Sequence, residues 1–267
     1  MSQHLQEIDA LYGLAGKTAV VTGGSTGIGR ETAQLFGRAG ASLIILDINE
    51  AAAAQTVQTI ETAGGHARFI RMDQSDPDSI ESAFTQIEQL DVLFNCAAIY
   101  PRANFETVTP EFLERMYRIN ERGVFLCTRA AVQRMKAKGG SIINVSSVTS
   151  LKAGIYDNVQ YGMGKAALNA LTASIALEYA QYNIRVNAIM PGGIATDAAL
   201  ASTQEGDPLR GPFLQPGRVP LGGENAAPRE IATAALFLAS EAARFITGQL
   251  LAVDGGFLIS RKKEGIF

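Results

Sequence analysis

Apolar and polar positions along the chain fall into two alternating kinds of segment. Short, β-branched apolar runs at Thr18–Thr22, Ser42–Asp47, Ala67–Met72, Val92–Cys96, Ser141–Val145, Arg185–Met190 and Leu250–Val253 predict strands. Segments with helical patterns at 28–39, 50–63, 77–89, 110–137, 160–181 and 228–239 predict helices. Strands that are apolar on both faces and separated by helices call for a parallel sheet covered on both sides. The predicted architecture is therefore α/β. It is one doubly wound parallel sheet of about seven strands, with its ligand site at the carboxyl ends of the strands.

No linker or repeat divides this pattern. Residues 1–15 read as an N-terminal extension, 16–257 as one domain and 258–267 as a C-terminal tail. The irregular stretch is 198–227, which carries Pro208, Pro212, Pro216 and Pro220 among glycines. So long a loop inside a compact domain reads as a substrate lid.

Composition narrows the class. With 267 residues, 47% hydrophobic and 18% charged, the chain can bury one large core. A net charge of −3 argues against a nucleic-acid partner, which would call for a basic face. The basic run 261–263 reads as a solvated tail. Cys96 and Cys127, the only cysteines, fall in a predicted strand and a predicted helix and read as reduced core thiols. His4 and His66 are the only histidines. They stand far apart, so no metal site is expected, and a hydrolase built on a central histidine has only His66, in an exposed Gly-Gly-His turn, to offer. No apolar run reaches the ~18 residues of a membrane helix, and the first residues lack a signal-peptide core. A cytoplasmic protein without a membrane partner is expected.

The first predicted strand runs into Gly23-Gly-Ser-Thr26-Gly27-Ile28-Gly29 and then a helix. Glycine permits the sharp turn and lets a pyrophosphate approach the helix N-terminus, where free N–H groups and the helix dipole favour anions. The spacing is G-x-x-x-G-x-G rather than the commoner G-x-G-x-x-G. Asp47 ends the second strand, 18 residues beyond Gly29. That is close to the ~20 expected of a carboxylate that binds the adenosine ribose hydroxyls.

Tyr161 and Lys165 lie four residues apart in a helical pattern, hence on one face. An ammonium beside a phenol stabilises the phenolate and is expected to lower its pKa, so that the tyrosine can exchange a proton with an alcohol.

With these residues in place, the chain resembles the classical short-chain dehydrogenase/reductase family from about residue 16 to 257. Thr22-Gly23-x-x-x-Gly27-Ile28-Gly29 is similar to the family's cofactor turn. Asn95-Cys-Ala-Ala98 is similar to its Asn-Asn-Ala-Gly segment, with the second Asn and the Gly replaced. Asn120, Ser147, Tyr161 and Lys165 match the catalytic tetrad in order. The 191–196 segment, Pro-Gly-Gly-Ile-Ala-Thr, resembles the nicotinamide-binding stretch, and 253–256 the C-terminal strand.

The resemblance implies a Rossmann-type fold and a reaction between a secondary alcohol and a ketone. Tyr161 would be the acid/base and Ser147 the partner of the substrate oxygen, with Ser146 a rival for that role. Lys165 would hold Tyr161 and the nicotinamide ribose, and Asn120 would position Lys165 through water. Gly23, Thr26, Gly27, Ile28, Gly29, Asp47, Asn95, Pro191, Ile194 and Thr196 would bind the cofactor, with Asp73 and the Gln74 N–H at the adenine. Asp47 points to NAD over NADP, because Ile48 and Thr26 stand where NADP-preferring relatives often carry cations and Arg30 is expected to point away. A homotetramer is implied. The helix with Leu168, Leu171, Ile175 and Leu177 has more apolar surface than one sheet contact needs.

The substrate wall would include Tyr100–Ala103, Lys152, Ile155, Tyr156 and Met190–Gly193, with Phe213 and Leu214 closing from the lid. Lys152 and Arg102 read either as solvated or as binders of an anionic group. A polyol, hydroxysteroid, aryl carbinol and hydroxyacyl thioester all remain open. Two other readings are a catalytically silent dinucleotide sensor and an epimerase or dehydratase of the extended branch, whose G-x-x-G-x-x-G turn is missing here.

Overall fold

A computed structural model describes residues 3–152, 157–197, 199, 219–222 and 225–260. Ile155, Tyr156, Phe213, Leu214, the 261–263 basic run and most of the expected lid lie outside the described residues.

Seven strands form one sheet in the order β3-β2-β1-β4-β5-β6-β7, every neighbouring pair parallel. They are β1 (Thr18–Thr22), β2 (Ser42–Asp47), β3 (His66–Arg71), β4 (Val92–Asn95), β5 (Gly140–Val145), β6 (Ile184–Pro191) and β7 (Leu250–Val253). Chain order runs outward from β1 to β3 and then resumes on the other side of β1 at β4. The crevice between the ends of β1 and β4 is where such a fold binds ligands.

The helices have local causes. In α2 (Gly27–Arg38), Phe36 and Ala33 are buried under the sheet. Asn49 caps α3 (Glu50–Thr62) by accepting from the Ala52 N–H at 3.1 Å. Asp76 and Pro77 open α4 (Pro77–Thr85), and Thr109 and Pro110 open α5 (Pro110–Tyr117). The remaining helices are α6 (Val124–Met135), α7 (Val159–Tyr179) and α8 (Pro228–Ala239). Alternate residues of each strand feed two cores. Ile45, Phe94 and Ile143 pack with Phe36, Ile231 and Leu238 on one face; Ile44, Leu93 and Ile142 pack with Phe84 and Met135 on the other.

Three expectations change. The N-terminal extension contains a helix, α1 (Gln3–Tyr12), whose exit is tied down by Leu14 N–H to the Ala39 carbonyl at 2.7 Å. The helix expected over 77–89 ends at Thr85. Arginines from other elements take carbonyls at and just past its end: Arg134 on Phe84 and Ile87, and Arg68 on Gln86. The single helix expected over 110–137 is two, α5 and α6, separated by a π-helical turn at Arg118–Gly123. A Cβ at Gly123 would come within 2.4 Å of the Gln74 carbonyl oxygen, so glycine lets this widened turn lie against the end of β3.

Candidate active site

The crevice begins with the glycine turn. Gly23 has φ +65°, and a Cβ there would lie 2.7 Å from the Ala97 Cα. A Cβ on Gly29 would lie 2.0 Å from the Gly23 carbonyl oxygen. Glycine at both positions lets the β1 exit, the β4 exit and the α2 N-terminus crowd together. Thr22 Oγ1 fastens them, accepting from the Cys96 and Ala97 N–H groups at 3.1 Å each. Thr26 is the N-cap of α2, but its side chain caps nothing. The leading N–H groups of α2 thus have no side-chain cap, in the manner of a phosphate site. This cradle fits a dinucleotide pyrophosphate.

At the end of β2, Asp47 is already organised. Its Oδ2 accepts from the Ser25 N–H at 3.1 Å and the Ser25 hydroxyl at 2.6 Å, and its Oδ1 from the Asn49 N–H at 3.0 Å. Ile48 beside it is exposed. Arg30 turns to Asp197 at 3.1 Å, away from Asp47, and Arg71, opposite Asp47 in the sheet register, makes no ion pair with it. Asp73 Oδ1 accepts from Ser75, and the buried Gln74 amide bridges the carbonyls of Ala97 and Ile119, joining β4 to the π turn.

Opposite the glycine turn, β6 ends at Pro191. Ile194 bridges to Ala226, and Thr196 swings back so that its Cγ2 lies 3.2 Å from where a Gly27 Cβ would stand. The 191–196 segment therefore closes over the cradle.

The polar side chains beyond β4 and β5 converge. Asn120 sits in the π turn, buried. Its Oδ1 accepts from the Ile99 N–H at 2.9 Å and its Nδ2 donates to the Ile99 carbonyl at 2.7 Å. The turn packs on α7 at Gly164, where a Cβ would be 3.0 Å from Glu121 Oε1. Lys165, next in sequence, is buried; its Nζ donates to the Val145 carbonyl at 2.7 Å and lies 5.4 Å from the Tyr161 ring centre. Ser147 Oγ accepts from the Thr149 N–H and hydroxyl, and faces the Tyr161 phenol, pulling its pKa down. Ser146 is directed elsewhere, to the Lys165 carbonyl and Asn169. Of the two serines, Ser147 is the one beside Tyr161.

The expected lowering of the Tyr161 pKa is not met in this geometry. Burial raises it, and the neighbouring Tyr100 and Cys96 add to the rise. Burial likewise lowers Lys165 to about 8. Withdrawal from water favours the neutral form of both groups, and the ammonium is engaged by a carbonyl rather than by the phenolic oxygen.

Asn95 also differs from its expected place. Its Nδ2 donates to Asn144 Oδ1 at 2.9 Å and Thr128 Oγ1 at 3.1 Å, so its side chain ties β4 to β5 and α6 inside the core. Lys152 donates to the carbonyls of Phe257 and Ser260 and lies over the Phe257 ring, so it is no free anion ligand. Cys96 lies just past β4 rather than in it and is only partly buried. Its thiol pKa is pushed up to about 12 by burial, against the pull of Lys165. Tyr100, expected in the substrate wall, sets its ring edge-on to Tyr161 at 6.3 Å. One contributor was missed: Ser25, which holds Asp47. It has no signal in spacing alone, because the contact joins the glycine turn to the end of another strand.

The family model described as Enoyl-(Acyl carrier protein) reductase, a short-chain dehydrogenase/reductase model, matches residues 23–258. The chain belongs to the short-chain dehydrogenase/reductase family. It is 38% identical over 253 residues to the 2,5-dichloro-2,5-cyclohexadiene-1,4-diol dehydrogenase LinX of Sphingobium indicum, covering 92% of this chain and 98% of that one. It is 36% identical to the cyclopentanol dehydrogenase of a Comamonas strain, over 90% and 96% of the two chains. The solved structure of an Agrobacterium tumefaciens chain with bound NADP superposes with a TM-score of 0.82 at 30% identity, over 93% and 99%. As a member of this family the chain is a dehydrogenase/reductase built to use a nicotinamide dinucleotide. Among the described residues no helix is long and apolar enough to cross a membrane, and no group of three or more metal-ligating side chains gathers.

Proposed function

We propose that the protein is an NAD-dependent dehydrogenase that interconverts a secondary alcohol and its ketone. The observation that carries the reading is the placement of Tyr161, Ser147 and Lys165 on one side of a crevice whose other side is the glycine cradle. The cofactor, when bound, supplies the hydride chemistry at the carbinol carbon. The chain's own residues do the rest. Ser147 hydrogen-bonds the substrate oxygen and steadies its developing charge. The Tyr161 hydroxyl gives that oxygen a proton in reduction and takes it in oxidation. Burial raises the Tyr161 pKa and so favours the phenol, the form suited to donation. A cation brought near it favours the phenolate, the form suited to oxidation. Lys165 is the resident cation, held between the Val145 carbonyl and the Tyr161 ring. Asn120 keeps the Ile99 loop and the π turn against α7, which sets where Lys165 stands. Gly23, Thr26, Gly27, Ile28 and Gly29 take the pyrophosphate; Asp47 takes the adenosine ribose; Asp73 and Gln74 border the adenine; Pro191, Ile194 and Thr196 border the nicotinamide.

NAD is favoured because Asp47 accepts from ribose hydroxyls and repels a 2′-phosphate, and Arg30, the nearby cation, is paired with Asp197. A cyclic secondary alcohol is the favoured substrate class, supported by the dehydrogenases of a cyclic diol and of cyclopentanol among the relatives. The working form is a homotetramer in the cytoplasm. The test is NADH formation on cyclopentanol, a cyclic diol, a polyol, a hydroxysteroid, an aryl carbinol and a hydroxyacyl thioester. Turnover is expected on a cyclic alcohol. Dinucleotide binding without turnover on any of them contradicts the enzyme and favours the silent sensor.

A further inference from the structure

The turn that carries Ser147 is gripped on both sides by one side chain of α7. On one side, the Ser146 hydroxyl is 1% exposed and lies 2.7 Å from Asn169 Oδ1 and 3.0 Å from the Lys165 carbonyl oxygen. On the other, Asn169 Nδ2 donates to Ser150 Oγ at 2.8 Å, and Ser150 Oγ donates to the Ser147 carbonyl at 2.6 Å. Both ends of a single carboxamide are thus used, one on the residue before Ser147 and one on the turn after it. Asn169 follows Lys165 by one helical turn and Tyr161 by two, so all three share a face of α7.

We propose that Asn169 is a positioning residue for the reaction, fixing the Ser147 hydroxyl against Tyr161 by riveting the Ser146–Ser150 turn to the helix that carries Tyr161 and Lys165. The proposal rests on the roles given above to Ser147 and Tyr161. Asn169 reaches neither the phenol nor the crevice and acts through Ser147. When its carboxamide is removed, Ser146 keeps the Lys165 carbonyl and Ser150 keeps the Ser147 carbonyl. The turn therefore persists while its register on α7 loosens. A displacement of about 1 Å at a reacting group is enough to cost about 100-fold in rate. Because Ser147 pulls the Tyr161 pKa down, its displacement also raises that pKa.

The experiment compares Asn169→Ala with the wild type on a working alcohol, reading kcat against pH and NAD affinity by cofactor fluorescence. Turnover should fall about ten- to 100-fold. The limb on which oxidation is lost at low pH should move to higher pH, with NAD affinity within about two-fold of wild type. In a Ser147→Ala background, removal of Asn169 should lower single-turnover rates no further. An unmoved pH limb, or an equal loss in both backgrounds, overturns the proposal. If Asn169→Ala does not fold, Ser150→Ala cuts the half of the tie that runs through Asn169 Nδ2 and must move the limb in the same direction; an unmoved limb there overturns the proposal. A Ser147→Ala enzyme with wild-type turnover overturns the functional reading itself; a crippled Ser147→Ala beside a silent Asn169→Ala overturns only the role of Asn169.

Discussion

Asp47 shows how much one carboxylate decides. Three donors, from Ser25 and Asn49, hold it in place, so its direction is set by the chain itself. An NADP 2′-phosphate carries about −1.5 to −2 charges at pH 7 and would meet this fixed anion. The repulsion and the lost ribose hydrogen bonds should favour NAD by about 100-fold in kcat/KM. Replacing Asp47→Ala together with Ile48→Arg removes the anion and adds a cation at an exposed position, and should move the preference toward NADP. Steady-state kcat/KM for both cofactors measures this; a wild type that prefers NADP, or a double variant that still prefers NAD, contradicts it. At this scale the gathering of the candidate residues was partly legible. Tyr161, Lys165, Ser147 and Asp47 show themselves through type and spacing. Asn95 misled, because a buried amide at a strand end serves the sheet as readily as a ligand, and a pattern of letters does not distinguish the two. The Tyr161 pKa was also misjudged, because spacing reports the neighbouring lysine but not the loss of water.

The elements that build the crevice owe their positions to burial. Phe94 of β4 is fully buried, meets Phe36 edge-on at 6.3 Å, and lies one residue before Asn95 and the exit toward Ala97. Phe94→Ala should destabilise the protein by about 3–5 kcal/mol through lost transfer energy and the cavity left behind. Denaturant unfolding at fixed protein concentration reads it, and a loss under about 1 kcal/mol would mean the core around β4 refills. All seven strands were legible to within a residue or so: β1, β2, β4, β5 and β6 are buried on both faces and write near-continuous apolar runs, while the edge strands β3 and β7 are more exposed and show as short runs between helical segments. The break between α5 and α6 was not legible. Its cause is nonlocal: Asn120 clamps Ile99, and Gly123 makes room for Gln74. The early end of α4 is likewise made by arginines from other elements.

On the scale of the whole molecule, α5 to α7 leave Leu113, Tyr117, Phe125, Met163 and Leu177 exposed, the last at 82%. A lone chain with that much apolar helix surface calls for a partner. Light scattering at micromolar concentration should give a mass four times that of one chain; the mass of a monomer contradicts this. The helix that shows this face also carries Tyr161, so the proposed assembly and the proposed acid/base would share α7. The most direct test concerns that tyrosine. Tyr161→Phe keeps the packed ring and removes only the hydroxyl proposed to exchange a proton with the substrate. With an alcohol that the wild type oxidises, the variant should bind NAD with unchanged affinity and lose turnover by about 100-fold or more. A Tyr161→Phe protein that forms NADH at the wild-type kcat would contradict the assignment of Tyr161 as the acid/base.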